Sequence, residues 1–436
     1  MNATKATGFY EIQDAVAFNT PIDETHEFYT DFSAFRNDFK EKKFYKILNI
    51  NPNTKNCNPL KTHKKIFLSG YKGTGKTSEL LKLTNAINAT QCYFTVFVDI
   101  ADEELDTNNI ETVDVLILML EKLVNTLNQN NIEVGNEVLK SFYKWYETRI
   151  TEVNEYVKAT GTIEVETKAK IPLLPLFLTL IAKTKAQLQT STDTKEKIRQ
   201  VFNNKFSDFS IKFNEFILSL KEQFHKEEKY KDILFILDGF EKIGSYESQK
   251  KILLDDANKF VIIQSHIIIT LPIELFCEKG RLNNFSTTLH FPLIDLKKKE
   301  AKNALKEFIY KRVDASLFKT LPTVNKIIKY GAGHPRQTLQ IINRAYIEAE
   351  NDIIDMQSVN SALDILSNEM SELNEEEIRV LKKLKKNKTV ASSDEYVGLK
   401  AKNIIFDYGI NKEEEKINPI VLLNKKLMKQ IEALDD

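Results

Sequence analysis

The sequence of 436 residues is poor in cysteine, tryptophan and glycine, and it has no excess charge of either sign. The three cysteines, Cys57, Cys92 and Cys277, are scattered and odd in number, which argues against a disulfide framework or a zinc site and fits a reducing cytosol. The 62 basic residues equal the 62 acidic ones, so the net charge implies no global attraction to nucleic acid or to an anionic membrane. Local basic patches are compatible with this balance.

Long apolar runs are missing as well. Residues 1–10 lack the basic-then-apolar pattern of a secretory signal. The longest apolar run, residues 171–182, has two prolines near its start and is shorter than the about 18 residues that a membrane-spanning helix needs. We therefore expect a cytoplasmic protein with no membrane contact, in which this run is either buried in the core or faces a partner.

The sequence does contain a complete glycine-rich loop motif, G-x-x-x-x-G-K-[ST], at Gly70-Tyr71-Lys72-Gly73-Thr74-Gly75-Lys76-Thr77. Residues 65–69 before it are typical of a short buried strand, and residues 78–83 after it, beginning with Ser78, are typical of a helix. Glycine permits the positive φ angles and the close backbone approach that an anion-binding nest requires. The helix that follows adds the partial positive charge of its N-terminus.

This motif predicts that the chain binds ATP together with Mg²⁺. We expect Lys76 to reach the β- and γ-phosphates and the Thr77 hydroxyl to be a ligand of Mg²⁺. The alternative is a glycine-rich turn that fits the pattern by chance, and the flanking strand and helix favour the phosphate loop.

The surrounding elements predict an α/β fold. Further strands are expected at 92–100, 232–237, 267–270 and 288–291, with a helix over 111–128. Strands that alternate with helices indicate a parallel sheet.

The chain divides by its patterns into four parts. We expect an N-terminal adaptor at 1–64, a nucleotide-binding core at 65–294 with a mostly helical insertion at about 131–229, a helical lid at 295–370, and a winged-helix-like unit at 371–436. The lid is predicted from short helices at 296–312, 318–330, 334–350 and 356–370. The last unit is predicted from helices followed by two strands, around 403–408 and 416–419.

Two acids follow the strand at 232–237. Asp238 ends this apolar strand, which is where a phosphate-loop protein places an acid that holds Mg²⁺ through its water shell. Glu241, three residues later, is a candidate for orienting or deprotonating the attacking water. The alternative is a buried strand that ends in an Asp-Gly turn, and the spacing alone does not place the Glu241 carboxylate near the γ-phosphate.

Two further positions complete the predicted site. Thr270 ends the fourth strand, at the sheet edge where α/β proteins bind ligands. Arg336 follows a glycine/proline turn, Gly331-Ala332-Gly333-His334-Pro335, at the start of a helix of the lid. From there it could stabilise charge on the γ-phosphate. An ordinary surface arginine at a helix start is the alternative.

Taken together, these residues resemble AAA+ ATPases of the origin-recognition/STAND-like branch, over roughly residues 20–436. The resemblance rests on Gly70–Thr77, on the segment 97–102, on Asp238 with Glu241, on Thr270-Leu271-Pro272, and on Gly333-His334-Pro335-Arg336. It implies an AAA+ core with lid and winged-helix domain, and an ATP-controlled conformational switch that the lid reads through Arg336.

The resemblance also implies oligomers in which an arginine of the next subunit completes the site, and Arg281 stands at about the right place for that role.

One departure from the family's pattern concerns the rate of ATP hydrolysis. Many AAA+ proteins carry adjacent Asp and Glu at the strand end, whereas here Gly239 follows Asp238. Binding of ATP is therefore a safer expectation than fast hydrolysis.

Three functions remain open. The first is a slowly hydrolysing switch that regulates a separate effector protein in anti-phage defence, because no nuclease, protease or deaminase motif is found elsewhere in the chain. Its predicted effector contact is the insertion, with residues 171–178 as a candidate patch, for which plain core packing is the alternative. The second is a DNA-binding replication or transposition initiator or loader. The third is a nucleotide-binding scaffold without hydrolysis.

The DNA-binding function is supported by the winged-helix-like tail and by the lysine run at 382–388. The local charge weighs against it. Residues 371–436 carry 13 basic and 13 acidic residues, and the turn between the two strands contains three consecutive glutamates, 413–415. A solvated helix face is the alternative for the lysine run.

Overall fold

The computed structural model describes residues 4–17, 21–37, 39–54, 56–58, 60–100, 106–134, 136–158, 172–190, 192–278, 285, 287–386, 390–409 and 415–434. The strands are β1 Ile50–Asn51, β2 Asn56–Cys57, β3 Lys65–Gly70, β4 Tyr93–Asp99, β5 Asp232–Asp238, β6 His266–Pro272, β7 Thr287–His290, β8 Ile405–Asp407 and β9 Glu415–Ile417. The helices of the first half are α1 Ile12–Ala15, α2 Lys42–Ile47, α3 Lys76–Thr90, α4 Thr112–Gln129, α5 Asn136–Lys158, α6 Leu173–Thr190, α7 Thr192–Asn204 and α8 Phe206–Lys226. Those of the second half are α9 Tyr246–Lys250, α10 Ala257–Ile262, α11 Ile273–Phe276, α12 Lys299–Arg312, α13 Leu321–Gly331, α14 Pro335–Ile347, α15 Met356–Glu369, α16 Glu375–Lys385, α17 Asp394–Ala401 and α18 Lys425–Ala433.

The central feature is a parallel sheet of five strands in the order β4-β5-β6-β3-β7. Strand β5 is buried along its whole length, and its side chains alternate between two cores. Phe235 and Leu237 pack in the core that contains α4 and α8, whereas Leu234 and Ile236 pack in the core that contains α2 and α3. A strand covered on both faces must be apolar at every position, which explains its unbroken apolar sequence. The predicted α/β fold class, with a parallel sheet, is confirmed.

Helices α5 to α8 pack on α4 and enlarge one of these two cores. Its centre is aromatic, with Phe142, Phe177 and Phe213 all fully buried. Of the candidate effector patch at 171–178, residues 172–178 are described. Leu174 and Phe177 of this segment belong to the core, so the described part of the patch serves packing.

The chain after residue 295 contains two further cores. Helices α12 to α15 enclose the first, which also takes in Ala6 and Ile12 from the N-terminal segment. Helices α16 to α18 enclose the second together with Ile405 of β8. Strands β8 and β9 pair antiparallel, as the sequence predicted for the tail. Among the described helices, none is long and apolar enough to cross a membrane.

Candidate nucleotide-binding site

The glycine-rich loop lies at the carboxyl edge of the sheet, between β3 and α3. Gly73 and Gly75 have φ angles of 83° and 93°, in the left-handed region that favours glycine. Gly75 is also the residue that caps α3, so the loop passes directly into the N-terminus of a helix of 15 residues. This is the geometry in which backbone N–H groups and the helix dipole attract an anion.

Lys76 is held inside this loop. Its Nζ donates hydrogen bonds to the carbonyl oxygens of Gly70 and Tyr71, both at 2.9 Å. The same atom lies 3.7 Å from Oε1 of Glu241, and both side chains are buried. The fold therefore brings to the loop the carboxylate of Glu241, which sequence spacing alone did not place.

Asp238 and Glu241 differ in the charge that faces them. Burial and then the charge of Glu241 raise the pKa of Asp238 to about 6. Burial is also the largest influence on Glu241 and acts in the same direction, but the charge of Lys76, a backbone hydrogen bond and the charges of Lys242 and Lys72 together hold the pKa of Glu241 below its ordinary value. The positive charge of Lys76 therefore stabilises the ionised form of Glu241 more than that of Asp238.

The buried carboxylate of Asp238 offers oxygen atoms for a cation. Neither of its oxygens has a hydrogen bond of ordinary geometry to a described residue. The Thr77 hydroxyl is near enough to lower the pKa of Asp238. A carboxylate and a hydroxyl oxygen beside a phosphate-binding loop are the donor set that Mg²⁺ prefers, so Thr77 and Asp238 fit the predicted metal ligands.

Thr270 lies beside Asp238, in the neighbouring strand. Its hydroxyl oxygen accepts a hydrogen bond of 3.1 Å from the backbone N–H of Gly239. Strand β6 continues two residues beyond Thr270, to Pro272. The contact made by Thr270 is therefore with the turn after Asp238, which it holds in place.

Arg336 lies against the loop from the side of α14. Its backbone N–H donates to the carbonyl oxygen of Gly73 at 3.3 Å. A Cβ atom on Gly73 would come within 2.7 Å of the Arg336 side chain, so this close approach requires glycine. Burial lowers the pKa of the Arg336 guanidinium, and the negative charge of Glu241 acts in the opposite direction. Arg281 lies outside the described residues.

His334 forms a second bond between α14 and the loop. Its Nδ1 accepts the backbone N–H of Gln337 at 3.2 Å, which leaves Nε2–H to donate to the carbonyl oxygen of Lys72 at 3.1 Å. Burial and then the charge of Arg336 lower the pKa of His334 to about 3, in agreement with a neutral ring. Sequence reasoning gave this histidine no role, although it lies in the motif of Arg336.

Arg36 is the functional candidate that sequence reasoning missed. Its guanidinium donates to the carbonyl oxygen of Thr74 at 2.6 Å and to that of Pro292, and it lies 4.0 Å from the centroid of the Phe291 ring. The side chain is buried without a carboxylate partner among the described residues, and burial lowers the pKa of Arg36 to about 10. No local motif marks it, because its partners are 38 and 256 residues away.

A cavity of about 320 Å³ opens from the loop and lies between the N-terminal segment and the helices α12 and α14. The loop contributes Gly73 to Ser78, with Glu241 and Arg336 at the same end. The opposite walls are largely apolar and include Ile22, Phe28, Phe32, Phe308 and Leu339. A phosphate-binding end joined to an apolar end suits a nucleotide, whose base is flat and weakly polar.

Tyr71 of the loop points away from this cavity and into a small apolar cluster. The cluster contains Leu293, Ala332 and Phe406, the last of which lies on β8. The Tyr71 and Phe406 rings meet edge to face with centroids 5.9 Å apart, and the ring of His334 stacks on Phe406 at 5.6 Å. The C-terminal strands therefore pack directly beneath the phosphate loop.

The parallel sheet, the glycine-rich loop between β3 and α3, and the acid at the end of β5 together form the arrangement of a phosphate-binding loop site. No family model matches the chain, and no curated protein matches it. Among solved structures, the chain is similar to the Walker-type ATPase PABY2304 of Pyrococcus abyssi, with 13% identity, a TM-score of 0.44, and coverage of 95% of this chain and 99% of that one. It is also similar to the ORC2 protein of Aeropyrum pernix in its ADP form, with 11% identity, a TM-score of 0.41, and coverage of 97% and 98%.

A third similar structure is Cdc6p of Pyrobaculum aerophilum, with 12% identity, a TM-score of 0.35, and coverage of 94% of this chain and 98% of that one. At these identities and TM-scores the likeness carries no argument about the role of this chain. What the site of this chain can do follows from its own residues.

Proposed function

We propose that the protein is a cytoplasmic, ATP-binding and slowly hydrolysing switch that regulates a separate effector protein in anti-phage defence. The observation that carries the switch is the contact of α14 with the phosphate loop, through Arg336 on Gly73 and His334 on Lys72. A ligand that shifts the loop must act on these contacts, and through α14 on the helices packed around it. The effector and the defence setting are supported by the STAND-like motif residues.

In this proposal the loop N–H groups and Lys76 hold the phosphates, and Thr77 and Asp238 hold Mg²⁺. The nucleotide, when bound with its metal, would supply the phosphate bond that is hydrolysed. Glu241 orients water, Thr270 fixes the turn after Asp238, and Arg336 senses the terminal phosphate. Arg36 adds support from the N-terminal segment, because it fixes the carbonyl group of Thr74 and with it the path of the loop.

Slow turnover is supported by the surroundings of Glu241. Its Oε1 faces Lys76 Nζ at 3.7 Å, and Lys76 is the largest of the influences that together hold the pKa of Glu241 low against burial. A carboxylate whose ionised form is stabilised in this way is a weak base. Slow hydrolysis is sufficient when its role is to set how long the switch stays in its ATP-bound state.

The first test is Glu241→Gln, which keeps the side-chain size and removes the base. We expect ATP affinity to stay within about threefold of the wild type, and hydrolysis to fall by about a hundredfold, the usual contribution of a general base. Phosphate release under single-turnover conditions measures the rate. Glu247→Gln, an exposed glutamate of α9, is the matched control. Unchanged hydrolysis in Glu241→Gln would remove Glu241 from catalysis.

The four-part organisation belongs to the same proposal. We assign residues 1–64 as adaptor, 65–294 as core, 295–370 as lid and 371–436 as a winged-helix-like domain. Within the insertion at 131–229, exposed apolar side chains of α8, Ile211 and Leu218, offer a surface for the effector.

The second candidate function is a DNA-binding initiator or loader, and the order helix, helix, hairpin, helix of the tail favours it. The described lysines of the run at 382–388 bear on it directly. Lys382 donates to the backbone oxygen of Leu434, and Lys385 pairs with Glu432 at 3.1 Å. Both lysines thus hold α16 to the end of the chain, which leaves fewer of them for a phosphate backbone.

The mass of the protein in solution separates these functions. We expect ATP to convert the monomer into a homo-oligomer in which an arginine of the next subunit, Arg281, reaches the nucleotide. Light scattering with ATP, with ADP and with duplex DNA measures the mass. A monomer under all conditions would contradict the shared site, and a complex that forms only with DNA would favour the initiator or loader.

A further inference from the structure

A second cavity lies on the opposite side of α12 from the N-terminal segment and shares no lining residue with the nucleotide cavity. Its volume is about 680 Å³. Helices α12 and α13, the segment before α12 and strand β9 line it. The lining residues are Asp295, Leu296, Lys297, Lys299, Lys302, Asn303, Lys306, Asn325, Ile328, Lys329, Tyr408 and Lys416.

The lining is strongly basic in a chain whose net charge is zero. Lys299, Lys302 and Lys306 follow one another at helical spacings of three and four residues, so they share one face of α12. Lys329 comes from the last turn of α13 and Lys416 from β9, so three separate elements contribute lysines to the lining of one space.

The lining lysines differ from neighbouring lysines in their ionic contacts. In the part of the chain that the structure describes, none of the six lining lysines forms an ion pair, whereas neighbouring lysines do, as in Lys311 with Glu307 at 3.1 Å. Among the described lining residues the one acid is Asp295, which accepts hydrogen bonds from the Asn37 side chain and the Lys297 backbone N–H. Like charges gathered without counterions repel one another, and an anion in the cavity would relieve this repulsion.

We propose that this cavity binds a compact anion that carries several phosphate groups. Its volume lies in the range of small-molecule sites, about 300–1,000 Å³. Lysine is a compact point charge and a common binder of phosphate. The side chains of Asn303 and Asn325 add hydrogen-bonding groups.

The position of the cavity makes its ligand an effector of the nucleotide site. Tyr408, in the lining, donates its hydroxyl hydrogen to the carbonyl oxygen of Ala332 at 2.8 Å, two residues before His334. Asp295, also in the lining, is bonded to Asn37, the neighbour of Arg36. A ligand that draws α12, α13 and β9 together therefore acts on two supports of the phosphate loop.

The experiment is calorimetric titration of the full chain with inositol hexakisphosphate and, in parallel, with inorganic tetrapolyphosphate. Binding of either compound at one site is the expected result. In Lys299→Gln/Lys302→Gln/Lys329→Gln, which changes only exposed side chains, we expect at least about tenfold weaker binding, because each lost ammonium removes a charge-assisted contact. The two compounds distinguish phosphates spread around a ring from phosphates in a linear chain.

The matched control is Lys425→Gln/Lys426→Gln/Lys429→Gln, which removes the same charge from exposed positions of α18 outside the cavity. We expect its affinity to stay within about twofold of the wild type, since distant surface charges are screened. Lys76→Ala/Glu241→Gln, which removes the lysine of the phosphate loop without leaving the Glu241 carboxylate unpaired, should also bind as the wild type does, whether or not the protein binds ATP. Equal weakening in the control, loss of binding in Lys76→Ala/Glu241→Gln, or no binding by the wild type would overturn the proposal. Tighter binding of a duplex of about 20 base pairs, lost in the cavity variant, would overturn it too, in favour of a nucleic acid backbone.

Discussion

Replacement of Lys76 by alanine is expected to abolish ATP binding. In the structure its ammonium is fixed at the loop by two carbonyl oxygens and faces Glu241 at 3.7 Å. Hydrogen bonds that involve a charged group contribute about 1.5–3 kcal/mol each, so the loss of two phosphate contacts weakens binding by at least about a hundredfold. Titration with a fluorescent ATP analogue measures this loss. Wild-type affinity in Lys76→Ala would refute the assignment of the loop.

Two further variants keep this test free of folding effects. Lys76→Ala leaves the buried carboxylate of Glu241 without its cation, which costs about 3–5 kcal/mol for a buried pair. Lys76→Ala/Glu241→Gln removes the uncompensated charge, and we expect it to fold and still to fail to bind ATP. Lys61→Ala changes an exposed lysine in the segment before β3 and should bind ATP within about threefold of the wild type.

Gly333→Ala is expected to be the most destabilising glycine substitution. Gly333 has a φ of 74°, and a Cβ atom there would lie 2.0 Å from the carbonyl oxygen of Ile294. The backbone N–H of Ile294 donates a hydrogen bond of 3.1 Å to the carbonyl oxygen of Gly333, so neither of these two segments can move away without losing that bond. Strain and overpacking together predict a loss of about 3 kcal/mol or more.

The midpoint of urea unfolding measures this effect, and a fall in ATP affinity should accompany it because His334 and Arg336 follow directly. Gly398→Ala is the matched control. Gly398 lies within α17, and the nearest atom to its added Cβ is 4.0 Å away. We expect this change to be neutral or to stabilise the protein by up to about 1 kcal/mol, as alanine does within a helix. Equal midpoints for the two variants would contradict the strain at Gly333.

The sheet strands and the helices after residue 295 were predictable because their patterns are local. Strand β5 was expected at 232–237 and is found at Asp232–Asp238, and the helix expected at 334–350 is found at Pro335–Ile347. An unbroken apolar run bounded by an acid, or a proline at a helix start, fixes such an element without knowledge of the rest of the chain.

Contacts that depend on tertiary structure were out of reach. Arg36 supports the loop from a segment without a motif, and its role appears only once Pro292 and Thr74 are neighbours in space. The sequence placed Thr270 at the sheet edge, but the direction of its hydroxyl, towards Gly239, depends on the register of β5 with β6. Likewise, no spacing rule shows that lysines of α12, α13 and β9 line one cavity.

The contact between Tyr71 and Phe406 limits which truncations and exchanges of its C-terminal part the protein can tolerate. A fragment that ends at residue 370 would lose β8 and expose to water an aromatic ring that is now completely buried. The second residue of the phosphate loop would then lack its packing partner, so such a fragment is a poor measure of the affinity of the whole protein for nucleotide. Evolutionary exchange of the C-terminal unit meets the same limit, since any replacement must bring an apolar side chain to the position of Phe406.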